Sequence, residues 1–461
     1  MKVDIIKFKE ISYDIKLPLK GSDKNKNGVE INKILKHSVN VSIKSGRTPS
    51  KTEGKYWDNG IYEFLNMKDV DNDLFILKDQ CTEKITRTAI KENSNLLKVP
   101  KGSLVISNAM TIGLAFILQR DVYVNQNVFW IDIDESKYNK KFLMWYFNVV
   151  LREYFANKYE AKYLSKDELG RVIVPNISIN KQKEIISIIE KNEISLKELK
   201  EQVIEESEII DSVLSEVVNI DMNRLNELKS KNIFKMNFHE CSIENYDMRI
   251  GHRYSNRAFK YLKDELNKNI HGNIKEYLKE PMSLGASIRP DDYIEKGNKY
   301  YISMASIKNW NVDLKNSKIV SDEFYYKNIS KSLKKGDIVV ARSGEGTIGK
   351  VGYIEQELDA IFSDFTIRIR VDNNKLDSKF MYYYMRSKYM QLLIEFNKKG
   401  LGNNTNIFPN EIKNFSLIHL DLLKQKEIVK DIENKINKVE DIKNQMKCIK
   451  ETIENEILSI L

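Results

Sequence analysis

The chain is written twice. Residues 181–185 read KQKEI, and 424–428 read KQKEI again, an offset of 243 (424 minus 181). After the first copy, Ile189, Leu196, Val203, Ile210 and Val217 fall every seven residues. The same offset gives Ile432, Val439, Met446, Ile453 and Ile460, again apolar every seven. A heptad stripe this long predicts a helix packed along one narrow seam. About 40 residues would span roughly 60 Å. One such helix leaves its stripe wet, whereas two in matching phase cover each other. Two unrelated dimerisation helices, or helices packed on their own domains, are the alternatives. The companion seam position pairs Ile185 with Ile428 and Leu199 with Ile442, and Glu206 interrupts it where Ile449 keeps it.

The repetition extends upstream with a drifting offset, as insertions in loops between fixed elements would produce. VPKGSLVIS (99–107) matches LKKGDIVVA (333–341), a turn with Gly102 or Gly336 and then a strand. Thr111-Ile112-Gly113 matches Thr347-Ile348-Gly349. FLMWYF (142–147) matches FMYYYM (380–385), and LSKDEL (164–169) matches IFPNEI (407–412). FLNMKDV (64–70) parallels ISMASIK (302–308). Each half therefore reads as a mixed α/β globule closed by a long helix, with segments 1–178, 179–225, 226–420 and 421–461.

Composition limits what those globules do. The formal net charge of +9 permits a polyanion as partner without demanding one. Cys81, Cys241 and Cys448 are odd in number and far apart, so they spell no disulfide framework or zinc knuckle. The opening MKVDIIKFKEISYDIK lacks the apolar core of a signal peptide, and no run reaches a membrane span's length. A reducing cytoplasm is the expectation.

Catalytic constellations fail on inspection. Gly344 to Lys350 fits G-x-x-x-x-G-K, but Val351 stands where a phosphate-binding loop needs a hydroxyl, and the continuation reads as strand. That leaves a tight turn, with Lys350 available to a DNA phosphate. There is no Pro-Pro pair for an amino-methyltransferase box, and Pro290-Asp291 with Glu295-Lys296 has the wrong spacing for a metal nuclease. His37, His239, His252, His271 and His419 form no ligand pair at helical spacing. The expectation is no catalytic centre, no metal and no cofactor.

Loop residues are better candidates, because Arg and Lys neutralise phosphates while Asn, Gln and Arg pair with base edges. In the first half these are Arg47, Lys51, Tyr56, Lys68, Asn108, Lys158 and Lys162. In the second they are Arg289, Lys308, Asn309, Arg342, Lys350, Lys398, Lys399, Asn403 and Asn404. Ordinary solvated loop charge is the competing explanation for each.

Taken in order, SGRTPS (45–50), YWDNG (56–60), LVISNAMTIG (104–113) and LSKDELGRVIVPNISINKQKEIISIIE (164–190), with the repeats IVVARSGEGTIGKVGY (338–353) and IFPNEIKNFSLIHLDLLKQKEI (407–428), resemble the specificity subunits of type I restriction–modification systems. The resemblance covers the whole chain in two passes. It implies two target-recognition domains in tandem, joined by two long antiparallel coiled-coil helices, each domain reading one part of a split site in double-stranded DNA. It implies two methyltransferase subunits as partners, using S-adenosylmethionine, and restriction subunits that bring ATP-driven translocation with magnesium, all in phage defence. The second half departs from the pattern: GASIRPDDYIEKGNKYY (285–301) lacks the Gly-x-Thr-Pro and Tyr-Trp pieces. Extra segments, roughly 1–35 and 231–275, the latter with Arg249 to Tyr254, precede each recognition core without an assigned role, with docking of partner subunits or shaping of the recognition domain as the readings. A specificity module of another DNA-modifying complex, a coiled-coil scaffold without DNA, and a nucleotide-binding enzyme are the rival readings.

Overall fold

The computed structural model describes residues 28–37, 42–152, 163–230, 253, 255–268, 270–344, 346–400 and 404–460. It divides into two compact units, Met1–Val203 with Asp441–Leu461, and Ile204–Glu440.

The first unit is built on two four-stranded sheets. One runs β1 (Ile43–Ser45), β10 (Val128–Ile131), β7 (Leu104–Ser107), β8 (Ala115–Ile117) in spatial order. The other runs β5 (Glu83–Ile85), β2 (Tyr62–Leu65), β9 (Val122–Val124), β6 (Leu97–Val99). Strand β7 is LVIS with all four residues buried, as a strand covered on both faces requires. Val105, Phe116, Val124 and Val128 form a core with Leu65. On the other face Ile106 and Phe129 pack with Phe142, Leu143, Trp145 and Tyr146 of helix α1 (Lys140–Tyr146), whose first turn is capped by Asn139.

The second unit repeats the plan. Its sheets are β11 (Ser283–Leu284), β20 (Thr366–Ile369), β17 (Ile338–Ala341), β18 (Val351–Tyr353), and β12 (Tyr293–Ile294), β16 (Lys318–Val320), β13 (Tyr300–Ile302), β19 (Ala360–Phe362). Among the described strands, β2 pairs parallel with β9 and β13 with β19 in the corresponding place. The aromatic helix is α4 (Ser378–Arg386), followed by α5 (Lys388–Asn397).

A short hairpin sits on each aromatic helix. In the first unit, β3 (Val70–Asp71) and β4 (Ile76–Leu77) carry Phe75 at φ 51°, its ring 5.0 Å edge-on from Trp145. In the second, β14 (Ile307–Lys308) and β15 (Asn311–Val312) carry Trp310 at φ 63°, with the Arg386 guanidinium 5.4 Å from its ring.

The heptad segments are helical, with one correction. The central segment is not one helix: α2 (Ile179–Glu201) ends, residues 202–205 break it, and α3 (Glu206–Val218) restarts. No glycine or proline stands at the break. What accompanies it is a set of bonds inside the second unit: Glu206 pairs with Arg386, and Asp211 accepts from the Lys388 amide at 2.8 Å. These seat α3 on the globule, and tertiary contact overrides the helical pattern. The C-terminal segment is one helix, α6 (Leu422–Leu458). Its residues 441–458 belong to the first unit, where Met446, Ile453 and Ile457 join the core of Ile185, Ile189 and Leu196. Its residues 422–440 belong to the second, where Ile428, Val429 and Ile432 join Ile210, Val213 and Leu214. Val439 is buried, while Val203, Val217 and Ile460 are half-buried against these cores.

The repeated KQKEI has a physical reason. Gln182, fully buried, donates to the carbonyls of Lys137 and Ile177 and accepts from the Asn139 amide at 2.8 Å. Gln425 donates to the Leu420 and Lys375 carbonyls and accepts from the Asp377 amide at 2.7 Å. Each glutamine thus ties the long helix to the cap of the aromatic helix above it.

Candidate nucleic-acid interface

In each unit four loops meet beside the first sheet, and the same bonds hold them. After the fully buried strand β7, the Asn108 amide donates to the Asn127 carbonyl at 3.0 Å, and the Asn108 carbonyl accepts from Leu164 at 2.8 Å. After β17, the Arg342 amide donates to the Phe365 carbonyl at 3.1 Å, and the Arg342 carbonyl accepts from Ile407 at 2.9 Å. The turns that follow close alike, Gly113 N–H on the Ser107 carbonyl at 2.9 Å and Gly349 N–H on Ala341 at 2.8 Å. Side chains repeat the scheme: Asn108 Nδ2 reaches the Gln126 carbonyl at 3.1 Å, and Arg342 Nε the Asp364 carbonyl at 2.9 Å. Thr48 Oγ1 donates to Gln126 Oε1 at 2.7 Å, and Ser287 Oγ to Asp364 Oδ2 at 2.6 Å.

The fourth loop enters through a glycine for a steric reason. A Cβ at Gly46 would lie 1.9 Å from the Val124 carbonyl oxygen, and one at Gly285 1.8 Å from that of Phe362. The Tyr301 hydroxyl holds the neighbouring Ala286 carbonyl at 2.7 Å, and burial pushes that phenol up to about 12, so it stays protonated as a donor.

The structure sorts the sequence candidates. Arg47 is exposed in the Gly46 loop, and among the described residues it makes no ion pair. Arg289 is exposed at the end of the equivalent loop. Arg342, Lys350, Lys399 and Asn404 belong to the second cluster, with Lys399 paired to Glu411 at 2.7 Å. Asn108 is a correction: it is fully buried and braces the cluster from beneath, so its amide is closed to a base. Lys398 is another, buried and paired with Glu395 at 2.6 Å. Lys51 lies 3.5 Å from the Trp57 ring centre and pairs with Glu83, while the Tyr56 hydroxyl is bound to Glu92. Lys68 is exposed in the turn before β3. Lys308 pairs within its hairpin with Asp313, and Asn309 beside it is exposed at φ 49°. Lys158, Lys162 and Asn403 lie outside the described residues.

Exposed groups that sequence reasoning passed over complete the clusters. In the first unit these are Gln126, Tyr163 and Met110, the last 93% exposed at φ 61°. In the second they are Phe365 and Phe408, which flank Arg342. The repeat places three of them beside matched segments, Met110 just before the Thr111–Thr347 match and Tyr163 and Phe408 next to the Leu164–Ile407 match, whereas Gln126 and Phe365 lie in no matched segment. The Gly344–Lys350 stretch is a strand-to-strand turn: Gly344, Gly346 and Gly349 have positive φ, and β18 returns antiparallel to β17. Among the described residues no group of His, Cys, Asp and Glu is placed to hold a metal, and no helix is long and apolar enough to cross a membrane.

The structure is thus a duplicated two-sheet domain with matched loop clusters, each unit sharing a core with part of the long helices. The chain belongs to the type I restriction modification DNA specificity domain family, whose model matches residues 39–208 and 281–453. It is therefore a specificity subunit of the type I restriction–modification class, a non-catalytic component. It is similar to the type I restriction enzyme EcoBI specificity subunit of Escherichia coli, 22% identical over 390 residues, covering 81% of this chain and 77% of that protein. The EcoprrI specificity subunit of Escherichia coli is 29% identical over 127 residues, 27% of this chain and 30% of that one. A solved chain from work on complex assembly and conformational transition of the type I R-M system shares the fold, with TM-score 0.52 and 10% identity over 95% of this chain and 99% of that one.

Proposed function

We propose that each unit reads one part of a split target in double-stranded DNA through its loop cluster, Arg47 and Gln126 in the first, Arg342, Lys350 and Asn404 in the second. Segments 1–178 and 226–420 act as the recognition domains, and 179–225 and 421–461 pair antiparallel to set the spacer between half-sites and to dock two methyltransferase subunits. S-adenosylmethionine, ATP and magnesium belong to those partners and to the restriction subunits, and the complex works in the cytoplasm. What carries the reading is the repetition: the same loops are fastened by the same bonds in both units, as two readers of similar design would need. Two similar surfaces also suit two copies of one partner.

The test is co-expression with the adjacent methyltransferase, native mass measurement and methylome sequencing. Two methyltransferases per chain and adenine methylation at a split motif are expected. Arg47→Ala should cut methylation severalfold. A chain that stays alone and leaves no methylation refutes the reading.

A further inference from the structure

We infer that Arg342 reads a guanine in the half-site engaged by the second unit, its two terminal guanidinium amines donating to O6 and N7. The inference rests on the proposed reading that this loop cluster faces DNA.

The side chain is held before any ligand arrives. Its backbone is pinned on both sides, to Phe365 and to Ile407. Its Nε is committed to the Asp364 carbonyl at 2.9 Å. The guanidinium lies 5.8 Å from the Phe365 ring centre and 5.3 Å from that of Phe408. Those rings are 47% and 37% exposed, so they frame an opening rather than seal a core. Asp364, the acid beside it, is engaged by Ser287 at 2.6 Å and Ser363 at 3.2 Å, and no carboxylate among the described residues pairs with Arg342.

With Nε spent and both terminal amines without a bond among the described residues, this arginine presents a fork of two parallel donors. In the major groove guanine alone offers two adjacent acceptors, which that fork matches bidentately. A phosphate also accepts a fork, but the exposed phenyl rings on both sides favour the flat faces and methyl groups of bases over a hydrated anion. At the position matching Arg342 the first unit has Asn108, which is fully buried. This particular guanine contact therefore belongs to the half-site of the second unit.

Selection of binding sites from random DNA, with the full chain in its methyltransferase complex, tests this. In Arg342→Gln the preference should leave guanine for adenine at one position of one half-site, with guanine sites weakened roughly 5- to 150-fold. Arg342→Lys keeps the charge but not the fork, and should relax that position alone. The other half-site serves as the folding control. An unchanged motif, or equal weakening of every sequence by both variants, overturns the inference. Arg47→Ala separates the two readings: if it lowers binding while Arg342 variants are silent, only the guanine assignment fails, and if neither matters, the interface itself is misplaced.

Discussion

At the residue scale the candidate interface depends on absences of atoms as much as on donors. Gly46 and Gly285 admit their loops because a methyl group would collide with main-chain oxygens that a sheet holds in place. Gly46→Ala should therefore cost the first unit about 2–3 kcal/mol, by displacement of the loop that carries Arg47 and Thr48. Gly102→Ala is the control: φ is +79° with nothing within 4 Å, so only the left-handed backbone is penalised, about 1 kcal/mol. Thermal melts rank the two variants, and equal losses would show that the Gly46 contact relaxes freely. Gly102 was legible in sequence as a turn residue, but the role of Gly46 and Gly285 was not, since the Val124 and Phe362 carbonyls they meet lie far along the chain. The same limit governs the basic residues. Composition marks Lys51 and Lys398 as equal to Arg47, yet Glu83 and Glu395 occupy the first two. Partners brought in by the fold decide which charge remains available.

At the element scale the heptads and the repeated glutamine motif announced the long helices and where they begin. The break at 202–205 was hidden, because it follows from how α3 is seated by Arg386 and Lys388 rather than from any residue in the break. The hairpins were hidden too, each being two residues per strand. In the first unit the β3–β4 hairpin is fastened to both long helices: Lys200 binds Asp71 at 2.5 Å and Asp73 at 2.9 Å, and Lys450 binds Asp73 at 2.6 Å. Burial alone would raise the Asp73 carboxyl, but hydrogen bonds from Lys450 and Lys200 outweigh it and hold the group below its ordinary 3.8. A depressed carboxyl stabilises the fold above its unfolded value and loses that contribution as pH falls through the folded one. Asp73→Asn should then be less stable than the parent by up to about 1 kcal/mol at pH 6, a modest figure because the group is half-exposed. The gap should close as pH drops below 3.8, the ordinary carboxyl value. Urea melts at both pH values check it, and a pH-independent gap would mean the asparagine perturbs packing instead of charge.

At the scale of the whole molecule both the duplication and the family were legible in the sequence, and the division of labour between globules and helices has a testable consequence of its own. If loop clusters choose half-sites and helices choose their separation, the two properties must be separable by mutation. Helix α6 runs without interruption from Leu422 to Leu458, so a seven-residue insertion between Glu440 and Asp441 keeps the seam nearly in phase. It adds about 10 Å of helix. A matching insertion in the central segment, placed at the natural break of residues 202–205, keeps the two helices in register with each other. The doubly extended chain should retain both half-site sequences and lengthen the preferred spacer by up to about three base pairs, at 3.4 Å per step. Selection on a library of random spacers reads this directly. An unchanged spacer would remove the helices from the ruler role, and an altered half-site would mean that the loop clusters and the helices are not independent parts. Because the Asn108 and Arg342 clusters are fastened to their own sheets and not to the insertion points, the expected result is a new spacing between the same two words.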